Sequence, residues 1–154
     1  MTQNPSLQKK SAARMAAAQC LYTASITGEK QTPAAAVAAL KKQLADNKQE
    51  QKLLVGQPIE PNYALVESLL SGVETFGDDI GAQIDGTLSG SWKRERMSPL
   101  LLAILQCAVF EIFFGKDIKP KIIVDEYTRL TRRFFSDAEV GFVHGALSKL
   151  AEHR

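Results

Sequence analysis

Side chains of the kinds that catalyse reactions are few in this chain, and their spacing suits binding better than catalysis. There are two histidines, His144 and His153, with no metal-ligand spacing, phosphate loop or dinucleotide glycine fingerprint. His144 falls beside an apolar helical seam, where an imidazole is ordinarily a hydrogen-bonded structural group, and His153 falls in the tail. Asp78 and Asp79 are paired only in sequence. Adjacent helical residues point about 100° apart, and acids in a first turn complement the helix dipole without any further task. No catalytic residue, metal site or cofactor is expected, and the chain is not expected to be an enzyme.

Two groups of residues carry a binding signal instead. Lys9, Lys10 and Arg14 occur with no acidic residue in the first 28 positions. Lys10 and Arg14 are four apart and so share a helix face, where like charges cost roughly a few tenths of a kcal/mol unless an anion lies between them. A nucleic-acid phosphate would relieve that repulsion; the plain alternative is a solvated basic face. A net charge of +2 does not decide between them.

The second group surrounds Phe142, which the helical step displaces by roughly 120° from the seam of Val140, Val143, Leu147 and Leu150. Its neighbours on that side are Ala138, Gly145 and Lys149. Gly141 and Gly145 each cost up to about 1 kcal/mol of helix stability relative to Ala, so something is expected to approach the backbone there. An aromatic beside small residues and a Lys suits stacking on an unpaired base with a phosphate contact, or packing against a neighbouring helix. Arg129, Arg132 and Arg133 are first explained by pairing with Asp125 and Glu126 one turn earlier. Trp92 and the KRER that follows it read as an anchored helix connection.

The elements that position these groups are all helical, because the chain shows helical punctuation throughout and no strand alternation or hairpin dipeptide. The central one is SPLLLAILQCAVFEIFFG, Ser98 to Gly115, apolar on every side except at Gln106 and Glu111. It spans about 16 residues where a bilayer needs roughly 20, and hydrocarbon would penalise its Glu, so it reads as a buried core helix. Ser98 is its expected N-cap, Pro99 its first turn and Gly115 a left-handed stop. Before it, a helix over 6–27 ends at Gly28, and Thr32 and Pro33 open a second that runs to about Asn47. A polar connection over 47–61 follows, then helices over 62–76 and from Gly77 to about Leu88. After the central element, Pro120 opens a helix whose stripe of Ile123, Tyr127, Leu130 and Phe134 is expected in the core. Ser136 and Glu139 form a capping box for the last helix.

With 45% hydrophobic and 23% charged residues in 154, one globular domain with a sizeable core is expected. The amino terminus lacks the apolar core of a secretory signal and no segment reads as a membrane span, so the cytoplasm is the expected compartment. Cys20 and Cys107 fall inside helical patterns and are read as core residues rather than a disulfide.

Four stretches, taken in order and spacing, resemble the NusB family of bacterial transcription antitermination factors in its alphaproteobacterial form. They are RMAAAQCLY (Arg14 to Tyr22), RMSPLLLAILQCAVFE (Arg96 to Glu111), KIIVDEYTRLTRRFF (Lys121 to Phe135) and FVHGALSKL (Phe142 to Leu150). The resemblance implies an all-α fold of two three-helix units, an amino-terminal one over about 1–90 and a carboxy-terminal one over about 91–154. It also implies a non-enzymatic factor that binds boxA-type RNA in ribosomal RNA transcripts together with NusE, a small-subunit ribosomal protein. Other Nus factors and RNA polymerase would be further partners. Carried over residue by residue, RNA contacts fall on Lys9, Lys10, Arg14, Lys121 and Phe142, and the NusE-facing surface on Tyr22 and the start of the central helix near Leu101. The chain departs from the family with Leu101 in place of an acidic or polar residue, Gln106 in place of Arg and His144 in place of Asn.

The alternative is a diverged NusB-like interaction module or homodimer without RNA binding. Leu100, Leu101 and Leu102 cannot all face one core, which leaves a candidate for such an interface. The RNA-binding appendage of a ribosomal RNA methyltransferase is disfavoured, because no catalytic domain follows.

Overall fold

The computed structural model of the chain describes residues 4–55, 59–89, 92–115 and 117–154, with the backbone alone for 48–55. Among them are seven α-helices and no strand: α1 Pro5–Thr27, α2 Pro33–Val55, α3 Tyr63–Thr75, α4 Gly77–Thr87, α5 Pro99–Phe114, α6 Pro120–Arg132 and α7 Asp137–Glu152. A short 3-10 turn, Arg94–Arg96, leads into α5. The all-α expectation holds, and its punctuation works by the expected chemistry at several ends. Gly28 closes α1 with φ 74°, a left-handed conformation that costs glycine nothing. The Thr32 hydroxyl accepts from the amide of Ala35 at 3.1 Å, and the Asn62 side chain from that of Leu65 at 3.1 Å.

The core is organised around α5. Nine of its residues are buried, from Leu101 to Ile112, and it packs against α1, α3, α4, α6 and α7. A helix surrounded in this way needs apolar residues on every side, which is why its sequence lacks a polar face. Elements at the periphery show the opposite pattern. In α6, Ile123, Val124, Tyr127 and Leu130 are buried while Arg129 and Arg132 face solvent. Full burial of such side chains stabilises the fold by roughly 1.5–3 kcal/mol each. The first helix instead buries Ala13, Ala17 and Ala18, small residues that let α3 and α5 come close. Helix α4, on the amino-terminal side of residue 90, packs on α5 and α7 as well as on α3. Among the described residues no helix is long and apolar enough to cross a membrane.

Four local expectations are corrected. The polar segment after Asn47 continues α2 to Val55, because Lys, Gln, Glu and Leu are good helix formers and polarity alone does not end a helix. Residues 56–58 of the expected connection lie outside the described residues. Phe134 is 40% exposed rather than core, since α6 ends at Arg132 and the i+4 register is lost; Phe135 packs on the core in its place. Gly115 is extended, with φ −73°, and not left-handed. A Cβ there would lie 2.5 Å from the carbonyl oxygen of Glu111, so close approach rather than positive φ favours glycine. The Ser136 hydroxyl donates to the Glu139 carboxylate at 2.7 Å instead of capping a backbone amide, and holds that carboxyl below its ordinary pKa.

Candidate nucleic-acid interface

The amino-terminal cations divide into two kinds. The Asn4 side chain accepts from the amide of Ser6 at 2.8 Å, caps α1 and so fixes the turns that carry them. Lys9 is exposed and Lys10 half-buried, both near the helix start. Arg14 is buried, at 4% exposure, and this corrects its reading as a phosphate contact. Its Nε donates to Glu111 Oε2 at 2.8 Å and an NH2 to Oε1 at 3.0 Å, a bidentate pair with the one charged residue of α5. Glu126 of α6 stands 3.7 Å from its other nitrogen and also accepts from the Ser11 hydroxyl at 3.0 Å. Tyr127 donates its phenolic proton to Glu111, and the guanidinium carbon lies 5.8 Å from the Tyr127 ring centre.

The electrostatics of this cluster follow from burial and pairing. Burial opposes the charge on Arg14, but the Glu111 carboxylate more than offsets it and the pKa rises. The Tyr127 hydroxyl is held well above its ordinary pKa, by burial first and by the adjacent Glu111 second. The i,i+4 repulsion expected between Lys10 and Arg14 is therefore relieved from within the fold, by carboxylates of α5 and α6. A sequence signal for this existed: a lone Glu inside an apolar helix calls for a cation or hydrogen-bond donors on a facing element.

The remaining expected RNA contacts lie on the carboxy-terminal helices. Lys121 is exposed on the first turn of α6, and Lys149 on the last turn of α7. Phe142 is half-buried, and its ring stacks on Trp92 with centroids 4.1 Å apart and planes 6° apart. The expected neighbours Ala138, Gly145 and Lys149 do share a surface with it, an open cleft of about 460 Å³ between the end of α4 and α7. Phe142 thus packs on one side, against a ring from the segment before α5 rather than against a neighbouring helix, and borders open space on the other. The partner role of Trp92 was missed. What fixes it is the anchored turn after it, where Arg94 pairs with Asp85 of α4 at 3.0 Å and its guanidinium covers Gly81. Arg129 pairs with Glu126 at 3.1 Å as expected, whereas Arg132 reaches Asp137 at 3.8 Å. His144 is exposed on α7.

The expected protein-partner residues also divide. Tyr22 is 38% exposed and lines a groove of about 960 Å³ with Cys20, Leu40, Leu70, Val73 and Gln106, where α1, α2, α3 and α5 meet. Leu101 is 2% exposed, which corrects its placement on a partner surface; Leu100 and Leu102 are half-buried beside it. Both cysteines are free thiols, Cys107 buried and Cys20 half-buried, and burial raises the pKa of each. The described residues hold no cluster of His, Cys, Asp and Glu arranged for a metal ion.

The class defined by this geometry is a helical bundle wrapped around one apolar helix, with a buried ion-pair network tying its first helix to its fifth and sixth. The chain belongs to the NusB family, whose sequence profile matches residues 11–152. It is 27% identical over 145 residues to the transcription antitermination protein NusB of Caulobacter vibrioides, covering 94% of this chain and 93% of that protein. The corresponding protein of Gluconobacter oxydans is 29% identical over 148 residues, covering 96% and 89%. The crystal structure of NusB from T. maritima superposes with a TM-score of 0.73 at 18% identity, over 100% of this chain and 94% of that one, a likeness of fold.

Proposed function

We propose that this chain is a cytoplasmic transcription antitermination factor that binds boxA-type RNA together with the ribosomal protein NusE, within an assembly of other Nus factors and RNA polymerase. The observation that carries the reading is the family match across residues 11–152, with relatives named as antitermination proteins aligned along nearly their whole length. The surface chemistry supports it. Lys9, Lys10, Lys121 and Lys149 are cations that can meet phosphates, and Phe142 borders an open cleft where a base can stack. The groove beside Tyr22 is the candidate NusE surface.

With Arg14 withdrawn into the core, Lys9, Lys10, Lys121 and Lys149 are the cations left to meet phosphates, each adding about 0.7 to the salt slope of single-stranded RNA binding where it makes a contact. The test is a fluorescence-polarisation titration of a short boxA-like RNA and a scrambled control, with and without NusE, at two salt concentrations. Preferential binding strengthened by NusE is the expected result. Equal affinity for both RNAs would replace boxA recognition with RNA binding that lacks sequence preference, and no binding under any condition would replace this reading with that of a protein-interaction module or homodimer.

A further inference from the structure

Phe114, in the last turn of α5, is 43% exposed, yet it is the end of a ladder of rings rather than an isolated surface residue. Its ring stacks on Phe76, between α3 and α4, with centroids 4.2 Å apart, and on Phe110, one turn earlier in α5, at 5.3 Å. Both inner rings are half-buried. The ladder is built into the fold, because a Cβ added at Gly72 would collide with the Phe110 ring, and α3 accepts a helix-weakening glycine in its interior to seat it. The fold itself does not call for an exposed ring at its outer end. A basic residue in the last turn of α5 would complement the helix dipole and leave Phe76 and Phe110 in contact.

Charges of opposite sign stand at the two ends of this patch. Asp78 and Asp79, exposed in the first turn of α4, follow Phe76. At the other end the Arg154 guanidinium donates to the carbonyl of Gly115, the residue after Phe114, and Lys119 is exposed a few positions further on. None of these four side chains makes an ion pair among the described residues. Asp117, also exposed, lies between Gly115 and Lys119 in the chain. The patch therefore carries both signs, and a nucleic acid laid across it would meet repulsion at Asp78 and Asp79.

We propose that this face is a self-association surface, where two copies of the chain meet about a two-fold axis with Phe114 stacked against its counterpart. A two-fold axis turns the acidic end of one patch onto the basic end of the other, so Asp78 and Asp79 of each copy face Arg154 and Lys119 of the second. A patch that complements itself in charge, around flat rings that can cover one another, fits a second copy better than an acidic or a basic partner. Three rings make a small centre for an interface, so the pair forms and dissociates with concentration rather than being permanent. The proposal does not depend on the RNA-binding reading.

The test is sedimentation velocity of the full chain without RNA, over a range of protein concentrations and at two salt concentrations. The average mass should rise towards that of a dimer with concentration and fall with added salt. Phe114→Ser, folded by circular dichroism, should raise the dissociation constant about tenfold or more. Asp79→Lys and Arg154→Glu should each weaken self-association when alone, and an equal mixture of the two should restore it, because each then presents the charge that the other lacks. A packing role for Phe114 would produce no such rescue. A parent chain that stays monomeric at every concentration, a dimer indifferent to Phe114→Ser, or a mixture that fails to reassociate overturns the proposal. A monomeric parent whose affinity for NusE falls in Phe114→Ser would give the face to that protein instead, and overturns it equally.

Discussion

Arg14 and Phe142 have the same standing in the sequence, each a residue of binding type on a helix with a candidate RNA contact assigned to it, yet the structure gives them opposite surroundings. Arg14 is enclosed, its guanidinium held by Glu111 and close to Glu126. Phe142 is covered on one side by Trp92 and borders an open cleft. The difference lies in the helix opposite each. Helix α5 presents a carboxylate that has no water to solvate it, so it captures the nearest cation of α1. The segment beside α7 presents a ring, which stacks on Phe142 without enclosing it. A charged residue is drawn inward by a buried counter-charge, while an aromatic keeps part of its surface free.

The contrast breaks most severely if the buried pair is cut. Glu111→Ala leaves Arg14 buried without its principal partner and is expected to cost about 3–5 kcal/mol, seen as a large fall in the urea midpoint. A loss of less than about 1 kcal/mol would show that Arg14 reaches solvent and can still serve as an RNA contact. Phe142→Ala comes next. It should weaken RNA binding by about 1–3 kcal/mol, a factor of roughly 5 to 150, with no change in salt slope. A changed slope would mean that Phe142 only positions a cation.

The pH dependence of stability probes the enclosed region alone. The folded Tyr127 hydroxyl has a pKa above its unfolded value near 10, so its neutral form is favoured in the native state. Its contribution is fully present below about pH 10 and is lost as pH rises above that, by at most about 1.4 kcal/mol per pH unit. Urea midpoints of Tyr127→Phe against the parent, at pH 8 and pH 11, should show a shallower alkaline loss in the variant; parallel curves would contradict a shielded phenol. The smallest effect belongs to Lys10→Ala. Stability should stay within about 0.5 kcal/mol of the parent, and the salt slope of RNA binding should flatten by about 0.7.

Much of the architecture was legible because helix ends are local. Pro99 and Pro120 at first turns, Gly28 past the end of α1 and Thr32 before α2 each act through atoms a few residues away, and spacing captures such effects. The candidate interface was legible in a narrower sense. Ala138, Gly145 and Lys149 share a cleft with Phe142 because all four lie on one helix, where the 100° step fixes their neighbours. Phe134 shows how far that rule carries, since its predicted burial failed within two residues of the end of α6.

The sequence by itself determined the all-helical class, the buried character of the 99–114 segment and which residues share a helix face, since all three depend on local geometry and on the cost of exposing apolar surface. Only the tertiary structure decided that Arg14 is enclosed, that Leu101 is core and that Trp92 backs Phe142. Those outcomes depend on contacts across long separations, 97 residues between Arg14 and Glu111, where burial turns a surface charge into an interior pair and no spacing along the chain records which helix will stand opposite.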